Sequence, residues 1–358
     1  MSVFVIAEAG VNHNGSLDLA RELINAAAQA GVDAVKFQTF KASEIVSRDA
    51  PKAAYQQRNT DQAESQFEMI RKLELSADDH RILIAHAQQR GVEFLSTPFE
   101  AGGLALLVHE LGLRTIKIPS GEITNFPFLV RIARTGCKLI LSTGMSSFGE
   151  VESALAAIAY GGISPPGQVP GPADLEVAYL SAAGRTMLRE RVVLLHCTTE
   201  YPAPVADVNL KAMEVLAQAF GLPVGYSDHT EGIHIAIAAV ARGACLIEKH
   251  LTLDRSLPGP DHKASLEPSE LRAMVASIRD VEAALGDGTK RPSSTELMNR
   301  AVVRKSLVAA RAIVAGELFS EENLVCKRPG TGVSPTEFWN RLGTPAARSY
   351  AADELIDR

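Results

Sequence analysis

Eight short apolar runs recur within residues 1–285 of this chain, and each is followed by polar residues and then by a helical pattern. The runs are Val3–Ala7, Ala34–Phe37, Glu93–Leu95, Thr115–Ile118, Leu139–Leu141, Val192–Leu195, Pro223–Tyr226 and Ala244–Ile247. They are apolar without alternation, which is typical of strands that are buried on both faces. Eight successive strand–helix units predict an α/β fold of the (β/α)8 TIM-barrel type.

The helical segments between the runs carry recognisable boundaries. The first ends at Gly31, and the last begins at Pro268 and ends before Gly286. A doubly wound open sheet is the alternative fold for such an alternation. That fold more often carries a glycine-rich dinucleotide loop after its first strand. Here the segment from Glu8 to Ser16 contains no GxGxxG motif, so the barrel is preferred.

Three stretches depart from this rhythm. Residues 163–191 open with a proline-rich segment and then turn helical, which indicates an insertion after the helix that follows the fifth strand. Residues 286–303 begin with a polar, turn-rich segment and are interpreted as a linker. Residues 304–358 hold short β-like runs and tight turns and predict a small β-rich domain. The barrel domain therefore spans residues 1–285.

Composition restricts the compartment and the class of partner. The formal net charge of the 358-residue chain is −6, so nucleic acid is not an expected partner. The N-terminus enters a strand at once and no apolar stretch is long enough to span a bilayer, so we expect neither a signal peptide nor a membrane partner. The four cysteines show no CxxC spacing, which is typical of reduced thiols in a cytoplasmic protein.

Polar residues at the ends of the apolar runs form the candidate site, because the catalytic groups of a (β/α)8 barrel lie at the C-terminal ends of its strands. In chain order they are Glu8; Lys36 and Gln38; Ser96 and Thr97; Lys117 and Ser120; Ser142 and Thr143; His196, Thr198 and Tyr201; Ser227 and His229; Glu248 and His250. Ammonium and hydroxyl groups both donate to phosphate oxygens, so the set predicts a small, highly anionic ligand. Two histidines together with carboxylates predict a divalent-metal site.

Each of these residues also has a purely structural interpretation. A single serine or threonine at a strand end commonly caps the next helix, and Ser96 and Thr97 fit that role. His196 lies inside an apolar run and is expected to be a hydrogen-bonded core residue, while His13 fits a turn. The functional interpretation therefore rests on the recurrence of polar residues at successive strand ends and not on any one of them.

Ten ordered segments then give a more specific indication. They are Ile6–Ser16, Val35–Gln38, Ser96–Phe99, Lys117–Glu122, Leu141–Met145, His196–Pro202, Tyr226–Thr230, Glu248–His250, Pro258–Asp261 and Lys327–Gly330. Together they resemble the sialic acid synthase family, and the resemblance covers essentially the whole chain. The segment 304–358 is similar to the antifreeze-like (SAF) domain of that family.

The resemblance implies a reaction, a metal and an assembly. Members of the family condense phosphoenolpyruvate with an N-acylated mannosamine-type sugar and release phosphate, which gives a nine-carbon 2-keto acid. They use a divalent metal, commonly Mn2+, with Mg2+ and Co2+ as alternatives. They form homodimers in which the antifreeze-like domain of one chain covers the barrel mouth of the other.

The resemblance also implies roles for individual residues. His229 and His250 correspond to the metal ligands, and Glu8 to a carboxylate near the reacting carbon. The phosphoenolpyruvate contacts correspond to Lys36, Thr97, Lys117, Ser120, Ser142 and Ser227, of which the two lysines also neutralise charge as phosphate departs. The sugar contacts correspond to Gln38, Asn59, Tyr201, Asp261 and Arg328, the last reaching over from the partner's small domain.

One departure bears on the sugar. N-acetylneuraminate synthases tend to carry asparagine at the position of Thr199. The Thr198–Tyr201 segment, the proline-rich insertion and residues 304–306 look more like the branch that makes legionaminic acid. That branch takes 2,4-diacetamido-2,4,6-trideoxymannose in place of N-acetylmannosamine, and a residue without an amide fits a sugar that lacks hydroxyl groups.

Two rival functions also fit the sequence. A metal-dependent sugar aldolase or lyase on a TIM barrel would use a similar set of strand-end residues without consuming phosphoenolpyruvate. A carbohydrate- or ice-binding role for the C-terminal domain is the second. An ice-binding face is flat and weakly charged, whereas this segment carries Lys305, Glu321, Glu322, Lys327 and Arg328. A lid over an active site is therefore the preferred role of the small domain.

Overall fold

The computed structural model describes residues 2–48, 50–53, 56–57, 60, 64–171 and 173–358. The chain divides into two units, Met1–Gly286 and Asp287–Arg358. None of the described helices combines the length and the apolar character needed to cross a membrane.

Eight parallel strands of the first unit form a near-closed barrel. They are β1 Phe4–Gly10, β2 Ala34–Thr39, β3 Glu93–Pro98, β4 Thr115–Ile118, β5 Lys138–Ser142, β6 Val192–Cys197, β7 Val224–Asp228 and β8 Leu246–His250. The hydrogen-bonded order is β3-β2-β1-β8-β7-β6-β5-β4, and the two terminal strands of this order are in contact. The predicted (β/α)8 barrel is therefore confirmed, and the open-sheet alternative is not.

Helices follow the strands, and most of them cover the outside of the barrel. They are α1 Leu17–Ala30, α2 Ala42–Ile45, α3 Gln66–Arg71, α4 Ala77–Arg90, α5 Ala101–Ala105, α6 Phe126–Arg134, α7 Phe148–Ile163, α8 Asp174–Leu180, α9 Ala182–Arg191, α10 Lys211–Phe220, α11 His234–Ala241 and α12 Pro268–Leu285. A π-helical turn, Leu106–Glu110, continues α5.

Local sequence signals set the bounds of these helices. The Ser16 hydroxyl accepts a hydrogen bond from the backbone N–H of Leu19 and so caps α1. Gly31 ends α1 with φ of 80°, a left-handed conformation that glycine adopts without steric cost. The predicted insertion forms α8 and α9, which pack against α7.

The period-two geometry of the strands places the site directly above an apolar layer. Six inward-facing residues form that layer at the barrel centre: Ile6, Ala34, Leu95, Ile140, Leu195 and Leu246. Two positions further along the same strands come Glu8, Lys36, Thr97, Ser142, Cys197 and Glu248. Polar side chains thus share the inner face with a packed floor, at the C-terminal ends of the strands.

Most strands extend past the runs expected from sequence. For example, β1 continues from Ala7 to Gly10, and β8 continues from Ile247 to His250. The parallel ladders persist through the polar residues, since Glu8 pairs with both Lys36 and His250. Several site residues are therefore held by the barrel itself and not by flexible loops.

The second unit holds its own small core. Its elements are α13 Ser294–Val303, β9 Ser306–Ala309, β10 Leu324–Lys327 and α14 Phe338–Arg341, with β9 and β10 antiparallel. Buried apolar residues, among them Leu307, Ile313 and Phe319, form one cluster. The segment interpreted as a linker, 286–303, contains α13, and the carbonyl of Ala301 in this helix accepts a hydrogen bond from the backbone N–H of Gly330.

Candidate active site at the barrel mouth

A cavity of about 370 Å³ opens at the C-terminal ends of the strands. It is lined by twelve of the residues predicted for the site: Glu8, Lys36, Gln38, Thr97, Lys117, Ser120, Ser142, Tyr201, Ser227, His229, His250 and Asp261. A volume in this range accommodates small-molecule ligands. The structure therefore brings together residues that are more than 250 positions apart in sequence.

Two carboxylates and two ammonium groups form a charge cluster at the base of the cavity. The Nζ atom of Lys36 lies 2.5 Å from Oε2 of Glu8 and 3.5 Å from Oε2 of Glu248. The Nζ atom of Lys117 lies 3.5 Å from Oε1 of Glu248. All four side chains are almost completely buried. Carboxylates and ammonium groups thus alternate within this buried charge cluster, in the order Glu8, Lys36, Glu248 and Lys117.

Burial and charge act in opposite directions on these groups. Burial raises the pKa of Glu8, with Lys36 opposing the rise and Glu248 adding to it. Burial also disfavours ionised Glu248, but Lys117 and Lys36 outweigh this and lower its pKa. Burial lowers the pKa of Lys117, with Glu248 opposing. Glu248 is therefore the permanent carboxylate of the cluster, whereas Glu8 is the group suited to exchange a proton near neutral pH.

Hydroxyl groups extend this cluster toward the cavity. Lys36 donates to Oγ1 of Thr97 (3.2 Å), and the Ser227 hydroxyl donates to Glu248 (2.8 Å). The Ser120 hydroxyl accepts from the backbone N–H of Gly144 (3.0 Å). A Cβ atom on Gly144 would lie 2.8 Å from that oxygen, so only glycine allows the approach. The hydroxyls are consequently held in place before any ligand arrives.

The two histidines are neutral and close to one another. Their ring centroids are 5.6 Å apart, and the Tyr201 ring lies 4.2 Å from the His229 ring. Burial lowers the pKa of His229 to about 4 and that of His250 well below its ordinary value. Nδ1 of His229 donates to the carbonyl of Thr198 (2.6 Å), so the lone pair is on Nε2, which lies 3.3 Å from the hydroxyl oxygen of Ser227.

These features fit a divalent metal held by His229 and His250. A metal-binding imidazole usually donates its other N–H to a carbonyl or carboxylate, as His229 does. Nδ1 of His250 is buried and has no hydrogen-bond partner, which a bound group would supply. Over the described parts of the chain, no set of three or more His, Cys, Asp or Glu side chains is arranged to hold a metal ion. Two imidazole ligands leave the other coordination positions of such a metal open.

Asp261 lies on the cavity wall beyond β8. Its side chain is buried, and burial alone raises its pKa to about 6. Its backbone carbonyl accepts from the Ser265 hydroxyl (2.7 Å), which fixes the loop. Gln38 is nearer to the charge cluster, since its amide donates to Oε1 of Glu8 (3.4 Å). Both residues have polar atoms available for a ligand larger than a single anion.

Two predicted site residues are not tested by this cavity. Arg328 belongs to the second unit, where it is exposed and its Nε donates to the carbonyl of Val303 (2.9 Å). Asn59 lies outside the described residues. Their predicted contacts with the sugar stay predictions.

Three histidines outside the cavity lining have structural roles. Nε2 of His196 donates to the carbonyl of Val208 (2.6 Å), away from the cavity, and burial lowers its pKa. His80 is completely buried and bonds to the Thr39 hydroxyl (2.7 Å). His13 is also buried, and its Nδ1 accepts from the backbone N–H of Gly15 (3.0 Å). These rings stabilise loops and helices around the site.

Some contacts of the cavity residues were not predicted, although Glu248 was among the strand-end candidates and Thr199 was the departure that bears on the sugar. Glu248 connects both lysines, and its position two residues before His250 on one strand was the available signal. Thr199 also lines the cavity, and its buried Oγ1 has no hydrogen-bond partner. The apolar part of the lining was not predicted, because its residues read in sequence as ordinary core residues.

Comparison with known proteins identifies the family. Residues 23–290 match the NeuB family, and residues 304–357 match the SAF domain. The chain is 51% identical to the N,N'-diacetyllegionaminic acid synthase of Campylobacter jejuni, over 98% of both chains. It is 48% identical to the enzyme of the same name from Legionella pneumophila, over 99% of this chain and 94% of that one.

A solved structure agrees with this result. The fold is similar to that of the N-acetylneuraminic acid (sialic acid) synthetase of Leptospira borgpetersenii, crystallised in complex with citrate, with a TM-score of 0.66 and 32% identity. The match covers 84% of this chain and 90% of that one. The resemblance expected from the ordered motifs is thereby confirmed, and the chain belongs to the NeuB family.

Proposed function

We propose that this protein is a nonulosonic acid synthase. It condenses phosphoenolpyruvate with an N-acylated mannosamine-type sugar and water, and releases a nine-carbon 2-keto acid and phosphate. The observation that carries the proposal is the cavity that joins Lys36 and Lys117 to the paired neutral imidazoles of His229 and His250. Two ammonium groups suit an anionic substrate, and two Lewis-basic rings suit a metal that binds a carbonyl oxygen.

The sugar we assign is 2,4-diacetamido-2,4,6-trideoxymannose, with N-acetylmannosamine as the alternative. Roughly half of the residues are identical to those of two proteins named N,N'-diacetyllegionaminic acid synthase, which supports the first. Thr199 lines the cavity without an amide, in line with a less hydroxylated sugar.

We assign a divalent metal, Mn2+ with Mg2+ or Co2+ as alternatives, to His229 and His250. When bound there, it supplies Lewis acidity that polarises the aldehyde of the open-chain sugar. Burial keeps both rings neutral and therefore able to ligate. Tyr201, whose ring lies beside both imidazoles, restricts where the sugar can enter.

The charge cluster binds and orients phosphoenolpyruvate. Lys36 and Lys117 hold its carboxylate and phosphate through charge-assisted hydrogen bonds, and the hydroxyls of Thr97, Ser120, Ser142 and Ser227 add neutral donors. Because these groups are fixed by neighbours on the barrel, they cost little reorganisation when the substrate binds. The C3 carbon of phosphoenolpyruvate is thereby held against the sugar's aldehyde carbon.

Glu8 handles the proton in this scheme. Attack by C3 on the aldehyde carbon forms the C–C bond, and the aldehyde oxygen takes up a proton to become a hydroxyl group. C2 gains positive character, water adds there, and the bond between C2 and the phosphate oxygen then breaks. A carboxylate stabilises that centre and then takes the proton of the attacking water. The raised pKa of Glu8 brings its proton affinity close to neutral pH, whereas Glu248 stays ionised.

The remaining expectations concern assembly and location. We propose a homodimer in which the SAF domain of one chain covers the barrel mouth of its partner and Arg328 binds the sugar's N-acyl group. Gln38, Asn59, Tyr201 and Asp261 complete the sugar contacts. Phosphoenolpyruvate is a cytoplasmic metabolite, and we place the protein in that compartment, without a nucleic-acid or membrane partner.

A phosphate-release assay tests the reaction. Purified protein with Mn2+, phosphoenolpyruvate and each sugar in turn is expected to release one phosphate for each 2-keto acid formed. Omission of the sugar should abolish release. Cleavage of a 2-keto sugar acid without consumption of phosphoenolpyruvate would instead indicate the aldolase function.

A further inference from the structure

One side of the cavity is apolar although the rest is polar. Six residues form this apolar wall: Val11, Phe40, Ile45, Ile70, Leu73 and Phe99. They pack on one another as a hydrophobic cluster separate from the two layers of the barrel. The rings of Phe40 and Phe99 meet edge to face, with centroids 6.0 Å apart. The apolar wall is therefore a packed surface and not a set of isolated side chains.

The apolar wall has a defined position in the barrel. Val11, Phe40 and Phe99 directly follow β1, β2 and β3, and the other three come from α2, α3 and the turn after α3. His229 directly follows β7, which lies opposite β3 in a barrel of eight strands, whereas His250 ends β8, which pairs with β1. A ligand that spans the cavity from β7 to β3 thus has one end at His229 and the other at Phe99 of the apolar wall.

Contacts outside the cavity hold the apolar wall in place. Glu74 accepts hydrogen bonds from the backbone N–H of Ala42 (2.9 Å) and from Lys41 (3.1 Å), which ties the start of α2 to the segment after α3. A capping box formed by Ser65 and Glu68 fixes the start of α3. The surface exists before a ligand binds, so it selects among ligands by its chemistry.

We propose that the apolar wall receives the C6 methyl group of a 6-deoxy sugar and sets the preference for 6-deoxy over 6-hydroxy substrates. The inference rests on the proposed function, because it concerns that reaction's sugar. With the aldehyde at the histidines, C6 is the far end of the open chain and reaches toward the apolar wall. A methyl group loses no hydrogen bonds when it moves from water to the apolar wall. A hydroxyl group would lose its hydrogen bonds to water there, because the apolar side chains cannot replace them.

Two glutamines near the apolar wall fit the same ligand. The side chains of Gln56 and Gln66 also line the cavity, and the Gln66 amide donates to Oε1 of Gln56 (3.3 Å). Amide groups pair with acetamido substituents, which carry both a donor and an acceptor. The ligand chemistry is therefore a deoxy sugar with acylamino groups.

The test compares two sugars that differ only at C6: 2-acetamido-2,6-dideoxymannose and N-acetylmannosamine. We expect the wild-type kcat/KM to favour the 6-deoxy sugar by about 10- to 100-fold. Ile70→Thr places a hydroxyl in the apolar wall and should reduce this ratio at least about fivefold, chiefly by improving use of the 6-hydroxy sugar. Ile70→Val removes a methylene without adding polarity and should keep the ratio within about twofold.

Three outcomes would overturn the proposal. They are a wild-type ratio near one, an unchanged ratio in Ile70→Thr, and equal loss of the ratio in Ile70→Thr and Ile70→Val. Unfolding midpoints of both variants identify general destabilisation, which lowers kcat/KM for both sugars and leaves the ratio unchanged. Failure of the proposed function is a separate result, because wild-type protein would then release no phosphate with any sugar.

Discussion

The ammonium group of Lys249 lies 2.9 Å from a carboxylate oxygen of Asp228, and both side chains are completely buried. Asp228 also accepts from the hydroxyl and the backbone N–H of Thr230, and Lys249 donates to the Thr230 carbonyl. The pair links β7 to β8 immediately before His229 and His250. It therefore fixes the separation of the two strands that carry the proposed metal ligands.

Loss of one partner of this pair should destabilise the fold strongly. Lys249→Met leaves the Asp228 carboxylate buried without its counter-ion, and we expect the free energy of unfolding to fall by about 3–5 kcal/mol. Urea unfolding followed by circular dichroism measures the change. Lys41→Met is the matched control, since it breaks a solvent-exposed pair with Glu74 and should cost less than about 1 kcal/mol. Equal effects of the two variants would contradict the prediction.

His229→Ala and His250→Ala should each weaken metal binding strongly while preserving the fold. Removal of a group that merely orients a metal ligand lowers affinity about 10–100-fold, so loss of a ligand should cost at least about 100-fold. Titration calorimetry of chelator-treated protein with Mn2+ reports affinity without activity. His109→Ala changes an exposed histidine and should bind as the wild type does. Wild-type Mn2+ affinity in both ligand variants would exclude the assignment.

Asp261 should make stability depend on pH. Burial raises its pKa from 3.8 to about 6, so the folded state holds this proton more tightly than the unfolded state. Stability is therefore lost as pH rises from about 4 to about 6, by about 3 kcal/mol in all, and the loss persists above that range.

Asp261→Asn should accordingly be more stable than wild type at pH 8 by about that amount and indistinguishable from it at pH 4. Chemical unfolding at the two pH values measures the difference. Asp18→Asn removes a carboxylate from the exposed surface and controls for the change in net charge. A difference between Asp261→Asn and wild type that is the same at pH 4 and pH 8 would show that the Asp261 carboxyl is not perturbed by burial.

Glu8→Gln should lower kcat by about 10²–10⁴-fold, because the amide cannot take a proton from water. The KM for phosphoenolpyruvate should not rise, since Lys36 loses a competing carboxylate and becomes more available to the substrate. Steady-state kinetics separate the two parameters. A kcat within tenfold of wild type would remove Glu8 from its proposed role.

Arg328→Ala should raise the KM for the sugar much more than that for phosphoenolpyruvate. Arg311→Ala, which alters another exposed arginine of the second unit, should change neither. Mixing Arg328→Ala with Glu8→Gln protein then tests the proposed dimer. If Arg328 serves the partner's barrel, mixed dimers contain one intact site and regain activity. No recovery after verified subunit exchange would place Arg328 in its own chain's site or outside any site.

Much of the architecture was predictable because strand–helix alternation and capping signals are local. The start of α12 at Pro268 and the stop at Gly31 follow from the conformational limits of proline and glycine. The strand-end rule of barrels then collected Glu8, Lys36 and the two histidines into one site. These predictions needed no knowledge of which side chains would touch.

Other features depended on packing over long sequence separations. The connection of Lys36 and Lys117 through Glu248 arises only when β2, β4 and β8 close around one axis. The apolar wall assembles residues from three strand ends and two short helices, and its members read in sequence as ordinary core residues. Burial, which controls the pKa of Asp261, is likewise a property of the folded chain and not of any motif.

The charge cluster means that the resting site supplies its own counter-ions. Each lysine already has a carboxylate partner, so an arriving phosphate competes with Glu8 or Glu248 and does not meet a bare positive surface. The affinity for phosphate then depends on how much more strongly the lysines bind phosphate than they bind Glu8 and Glu248 inside the enclosed cavity. Dissolved salt, which screens exposed charges beyond about 8 Å, acts weakly on such an exchange. Small anions with the wrong geometry gain little there, because they cannot replace both carboxylates at once.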